Sequence, residues 1–168
     1  MSFKQKLLFT ACMQELLRLY APRSPMAQLA DKYRVTEANP SPPLVHFAIP
    51  IDVDVLYEYA DKHDLTEYIL HLPNIISFDT PFVVTEHLSR HVQYELSLRF
   101  PFKYTADCGL ILALYNNYTM EENMLIDEDQ ADVIQMVQEA LGLHVSLCPK
   151  WYFDGYDRWE PDSDEDED

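Results

Sequence analysis

Only three of the 168 residues are glycine, while eleven are proline. Glycine is the residue that turns backbone through positive φ without strain. So small a supply argues against folds built on many tight hairpins, and against Gly-rich phosphate loops. Proline does the punctuation instead. Pro22 and Pro25 stop one segment, and the run ANPSPPL (Ala38 to Leu44) is a rigid connector. Each proline in it fixes its own φ and biases the residue before it towards extended backbone.

Between these breaks the periodicity changes repeatedly. FKQKLLFTACMQELLRLY, residues 3 to 20, places Phe9, Cys12, Leu16 and Tyr20 on one helical face, with Met13 and Leu17 beside them. PMAQLADKYR follows, with Ser24 as a cap and Pro25 at the first helical position, so a short helix is predicted there. LVHFAI, Leu44 to Ile49, is an apolar strand. Asp52 to His63 reads as a helix with Leu56, Tyr57, Ala60 and His63 inward, and Leu65 to Leu72 as a further helical turn or two, ended by Pro73. Asp79-Thr80-Pro81 starts a helix that runs to Ser89–His91, and the alternation in VQYELSLRF then predicts a strand from Val92 to Phe100. A continuous helix to about Leu98 is the alternative. Cys108 to Tyr118 is a central strand. Ile126 to Gly142 is a helix with Asp127 as cap, Val133, Ile134, Val137, Ala140 and Leu141 buried, and Gly142 beyond its end. His144 to Cys148 returns as a strand. The order implies an α+β fold: a single small domain over residues 1–153, with a helix-rich N-terminal half and one small sheet. An acidic tail, 154–168, follows and is expected to be disordered from about Pro161.

ADKYRVTE (Ala30 to Glu37) and ADKHDLTE (Ala60 to Glu67) agree at five of eight positions, thirty residues apart. The likeness stops after Glu37, where prolines follow, and no third copy exists. Stacked repeats need about three units. The two stretches therefore read as two helix ends built alike, with Thr36 and Thr66 available to cap what comes next.

Charge divides the chain unevenly. Residues 1–103 hold ten Lys/Arg and twelve Asp/Glu, a net of −2; residues 104–168 hold two and seventeen, a net of −15. No Lys or Arg lies between Lys103 and Lys150. Such a field repels phosphate backbones and anionic lipid, so neither direct nucleic-acid binding nor a membrane partner is expected. It favours a basic protein. Cys12, Cys108 and Cys148 make no C-x-x-C and read as free, buried thiols of a reducing compartment. Lys4 and Lys6 before LLFTACM resemble a signal only faintly: Gln14, Glu15 and Arg18 interrupt the run, and no A-x-A site follows. An intracellular protein, cytoplasmic or nuclear, is expected, in which the Asn117-Tyr118-Thr119 acceptor sequence has no use. No segment is apolar for long enough to span a bilayer.

Few chemistries have their parts. His87, His91 and Glu95 stand at i, i+4 and i+8, and on a continuous helix they share a face that could hold zinc. The order H-E-x-x-H is absent, and a strand from Val92 removes Glu95. Asp127, Glu128 and Asp129 fail as a calcium loop, since Asp132 stands where glycine belongs and Gln138 where glutamate does. There is no G-x-S-x-G. Asp52 and Asp54 could form an acid–base pair only if the fold set their separation. No cofactor and no metal site is assigned.

PKWYFDGYDRWEPDSDEDED, from Pro149, holds both tryptophans and nine acids from Asp154 onward. Trp151 and Phe153 are expected to clamp the chain onto the core. Trp159, Glu160, Asp162, Asp164, Glu165, Asp166, Glu167 and Asp168 are the expected partner-binding residues, an aromatic beside acids that suits a basic, partly apolar groove. Ser163 lies among acids, where phosphorylation adds further negative charge. The sequence thus points to a non-catalytic interaction protein with a basic protein partner. A metal-dependent hydrolase centred on His87 and His91, and a structural protein with a solubilising tail, are the alternatives.

Overall fold

In the computed structural model, which describes residues 23–103, 106 and 108–157, the apolar run after the proline connector becomes a central strand, β1 (Val45–Ile51). Asp52 ends it and caps the next element by accepting a hydrogen bond from the Asp54 N–H, so α1 (Val53–Lys62) follows without a loop. A two-stranded ribbon comes next, β2 (Tyr68–Ile69) and β3 (Leu72–Ile76), then α2 (Thr80–Val92) and β4 (Ser97–Arg99). β5 (Leu110–Asn116), the one-turn α3 (Met120–Asn123), α4 (Asp127–Leu141) and β6 (Lys150–Phe153) complete the described chain. The architecture is α+β, with an antiparallel sheet in the order β4-β5-β1-β6.

The two faces of the sheet differ. Val45, Ile49, Ile51, Leu110, Leu112, Trp151 and Phe153 point to the side where the helices lie. There they meet Leu56 and Ala60 of α1, Val84 and Leu88 of α2, and Val133 and Val137 of α4. The other face is small: Ala48, Ile111, Ala113 and Tyr152, with Ala106 and Cys108 packed on it. Between the Phe47↔Tyr115 and Ala48↔Ala113 pairs, Leu114 is an extra residue on β5. This bulge lets two consecutive side chains, Leu114 and Tyr115, both join the main core. Pro50, with no N–H to give, sits two residues beyond Ala48, where the β1–β6 pairing has ended.

Several expectations are corrected. The segment from Pro25 to Arg34 is not a helix. Met26 exchanges both backbone hydrogen bonds with Trp151, which demands extended chain, and only Asp31–Tyr33 forms a 3-10 turn. Thus the first ADK stretch closes no helix, whereas the second ends α1. Neither threonine caps a helix; the Thr36 hydroxyl accepts from the Asn39 N–H in a local turn. Leu65 to Leu72 is not helical, because Leu70 and His71 (φ 71°) turn the chain back into the β2–β3 ribbon. Among the described residues this two-stranded ribbon therefore stands beside the four-stranded sheet, where one sheet was expected. α2 runs to Val92, where Gln93 takes a left-handed conformation (φ 55°), and the strand is limited to Ser97–Arg99. This also removes the continuous helix. His144 to Cys148 is a turn, closed by Leu147 N–H to His144 C=O and by the His144 ring on the Ser146 hydroxyl. The strand is Lys150–Phe153 instead. On α1 the buried tyrosine is Tyr59, and His63 is exposed. Ile126, not Asp127, holds the cap position of α4. Cys148 is exposed and Cys108 only partly buried. β5 falls within the expected Cys108–Tyr118 strand, two residues shorter at each end, and the α4 span and the burial of Trp151 and Phe153 match expectation. The expected helix over 3–20 and the tail beyond Asp157 lie outside the described residues.

The outer edge of β6 is covered. Beyond Met26, the Phe102 N–H donates to Phe153 C=O and the Gly155 N–H to Phe100 C=O, so the chain leaving β4 returns along β6. A Cβ on Gly155 would stand 2.8 Å from the Phe100 carbonyl oxygen and 2.9 Å from that of Pro101, whereas one on Gly109 meets nothing within 4 Å. Gly155→Ala is expected to cost about 1–3 kcal/mol, and Gly109→Ala much less, in urea unfolding followed by tryptophan fluorescence.

Candidate protein-binding surface

Burial of Val133, Val137 and Leu141 fixes which side of α4 faces the core. The opposite side then exposes Glu128, Asp129, Asp132 and Glu139, and the neighbouring turn of α3 exposes Glu121 and Glu122. Helical spacing lines up Glu128, Asp132 and Met136. With no Lys or Arg from 104 to 149, nothing in the local chain neutralises these acids. Three exposed apolar side chains, Met124, Ile126 and Met136, lie along the same stretch. The surface is acidic with apolar interruptions. The expected binding residues from Trp159 to Asp168 lie outside the described residues. The approach to them is fixed, since the Asp157 carboxylate accepts from the Leu44 N–H at the start of β1.

The histidines regroup. α2 ends at Val92, so Glu95 is not on its face, and His91 is exposed. His87 instead meets α1: its Nδ1 lies 3.0 Å from the Tyr59 hydroxyl, and its ring centroid lies 5.4 Å from that of His63, which stacks on Tyr59. Burial lowers the His87 pKa below 6.5, and the charges of His63, Arg90 and His91 lower it further. Among the described residues no three His, Cys, Asp or Glu side chains are placed to hold a metal ion together. Asp52 is used as the α1 cap, and the Asp54 N–H is its donor.

A second polar pair was not foreseen. His46 on β1 and Asp154 just past β6 are both buried, with Nε2 and Oδ2 2.9 Å apart. Burial alone would raise the Asp154 carboxyl. The hydrogen bonds from His46 and from the Tyr156 N–H, with the charges of His46 and Arg99, outweigh it and hold the pKa below 3.8. Asn117 is also buried: its amide donates to the carbonyls of Tyr33 and Pro43 and accepts from the Val45 N–H. Its side chain is wholly engaged inside the fold, so the Asn-Tyr-Thr sequence is no accessible acceptor there.

A groove of about 950 Å³ lies at the end of the sheet where β1 leads into α1. Its walls are mainly apolar, with Tyr57, Phe78, Phe82 and Phe100 among them, and Cys108 and Lys150 at the β5 and β6 side. Sequence reading missed it because its walls come from most of the elements of the fold. Comparison with protein-family models, with curated proteins and with solved structures finds no match. The functional reading therefore rests on these surfaces.

Two titrations check this account. In NMR, the His87 ring is expected to titrate below 6.5, with His63→Ala moving the midpoint upward. For Asp154, whose folded pKa is depressed, the stabilisation is complete above the unfolded value near 3.8 and is lost as pH falls through the lower folded value. Asp154→Asn is thus expected to cost about 1–3 kcal/mol at neutral pH, with the gap to the native chain closing below pH 3.8 in denaturant titrations.

Proposed function

We propose that this protein is a non-catalytic interaction module whose acidic C-terminal third binds a basic protein. The observation that carries the reading is the division of charge, −2 over residues 1–103 against −15 over 104–168. The exposed acids of α3 and α4 support it, since they put acidic character on the folded surface as well as in the tail sequence. Met124, Ile126 and Met136 add apolar contact to that face, and methionine adapts to partners of varied shape. In mechanism, the acidic field draws the basic partner in and competes with phosphate for the same lysines and arginines. In this reading the tail residues Trp159, Glu160, Asp162, Asp164, Glu165, Asp166, Glu167 and Asp168 and the acids of α4 both contact the partner. An intracellular, cytoplasmic or nuclear, setting fits this role.

The test is affinity capture of basic proteins from host lysate, followed by titration of the captured partner. The full chain is compared with one ending at Glu160 and with the triple variant Glu128→Lys, Asp129→Lys, Asp132→Lys. Both variants are expected to bind more weakly, and the native complex to weaken about tenfold or more from low to moderate salt. A complex equally tight at both salts would overturn the reading.

A further inference from the structure

The β2–β3 ribbon is the least explained part of the fold. From Tyr68 to Phe78 the sequence is YILHLPNIISF, with no Asp, Glu, Lys or Arg, in a chain of net charge −17. A two-stranded ribbon is marginal by itself and ordinarily buries one face. Here none of the described ribbon side chains is buried. Leu70 is 80% exposed and Phe78 83%; Tyr68, Leu72, Ile75 and Ile76 are exposed as well. The base of the ribbon is tied down where the Ser77 N–H and the Thr80 hydroxyl both donate to the Glu67 carbonyl.

The groove begins where the ribbon ends. Phe78, two residues past β3, and Phe82, in the first turn of α2, line it together with Phe100 from the end of β4. One molecule therefore presents an apolar projection and an apolar concavity side by side. That combination is what a two-fold interface requires, because each copy must supply both halves. The size is also right. At roughly 200 Å² for a fully exposed large side chain, the five exposed ribbon residues with Phe78 and Phe82 expose about 800 Å², the share per partner of a standard stable interface. The ribbon has no charge with which to select a basic protein, and the two charged side chains on the groove wall, Asp52 and Lys150, are of opposite sign. An uncharged ribbon set against a groove with one acid and one base lets two strongly acidic chains meet with little charge repulsion at the contact. Pro73 within β3 breaks the row of backbone donors, so side-chain packing, and not an added strand, makes the contact.

We propose that this surface joins two copies of the chain, the β2–β3 ribbon of each seated in the Phe78–Phe82–Phe100 groove of the other. The contact is distinct from the acidic face and does not depend on the reading given for it. Because it is apolar and formed between like-charged chains, added salt holds or tightens it, the reverse of a basic-partner complex.

The experiment is sedimentation velocity on the full chain, from low to high micromolar, with reductant present because Cys148 is exposed. The expected result is the mass of two chains. Leu70→Glu in the ribbon and Phe100→Glu in the groove are each expected to halve it, with near-UV circular dichroism unchanged. Met124→Glu, on the acidic side, leaves the two-chain mass. A single-chain mass for the native protein over the whole range overturns the proposal. So does a two-chain mass that survives Leu70→Glu. If only Leu70→Glu yields single chains, ribbon packs on ribbon and the groove assignment fails. If the native chain is single and Leu70→Glu abolishes capture of the basic protein, the ribbon belongs to that partner.

Discussion

The fold depends on β6 being held from both sides. Through its inner edge it pairs with β1 from Val45↔Phe153 to Ala48↔Lys150. Through its outer edge it receives Met26 at Trp151 and Phe102 at Phe153. Four residues thus gather the start of the described chain, the central strand and the segment after β4. The side chains repeat the division: Trp151 and Phe153 enter the helix-side core, while Tyr152 joins Ala48, Ile111 and Ala113 on the other face. The next two residues finish the closure. Asp154 binds His46 across the sheet, and Gly155 comes so near the Phe100 and Pro101 carbonyls that a side chain has no room. An edge strand left open invites pairing with other chains; here that edge is taken up internally.

This closure was the least legible part of the sequence. β1, β5, α1 and α4 carry their own signals: continuous apolar runs for the strands, and a cap, a 3.6-residue stripe and Gly142 for the helices. β6 does not. KWYF is four residues long, alternates no polar residue with apolar, and sits next to an acidic tail that draws attention away from it. HVSLC looks more like a strand, but the His144 ring and Ser146 hydroxyl pair locally and curl it into a turn. The same contest decided PMAQLADKYR. Its N-terminal signals favour a helix, and two hydrogen bonds to Trp151 override them. For YILHL the error was of period, since an unbroken apolar run contains both the 2 and the 3.6 pattern.

The candidate sites divide along the same line. The acidic character was countable from composition, and its placement on the outside of α4 follows from the buried stripe. The contacts between distant residues were not readable. His87 seemed paired with His91, its neighbour on one helix, yet its contacts are Tyr59 and His63 from α1. His46 and Asp154 lie 108 residues apart in sequence. Nothing local to either marks the pair, which exists because β6 lies against β1.

Two kinds of surface result, and their separation has a physical basis. Charge reaches over a Debye length of about 8–10 Å in physiological salt, so an acidic face acts before contact and tolerates loose geometry. Apolar area acts only on contact, and complementary shape determines how much of it is removed from water. If both were interleaved over the whole surface, each would weaken the other: acids would prevent dry packing, and apolar gaps would dilute the field. In this chain the uncharged stretch runs from Tyr68 to Phe78 and the cation-free stretch from 104 to 149, in separate parts of the sequence. The ribbon is β2–β3 and the groove is lined mainly from β1, α1, α2 and the ends of β4, β5 and β6, with Leu143 and Leu147 from just past α4; the acids stand on α3 and the outer side of α4. On the two proposals made above, a basic protein at the acids and a second copy at the ribbon therefore make different demands on the chain, one on charge and the other on shape.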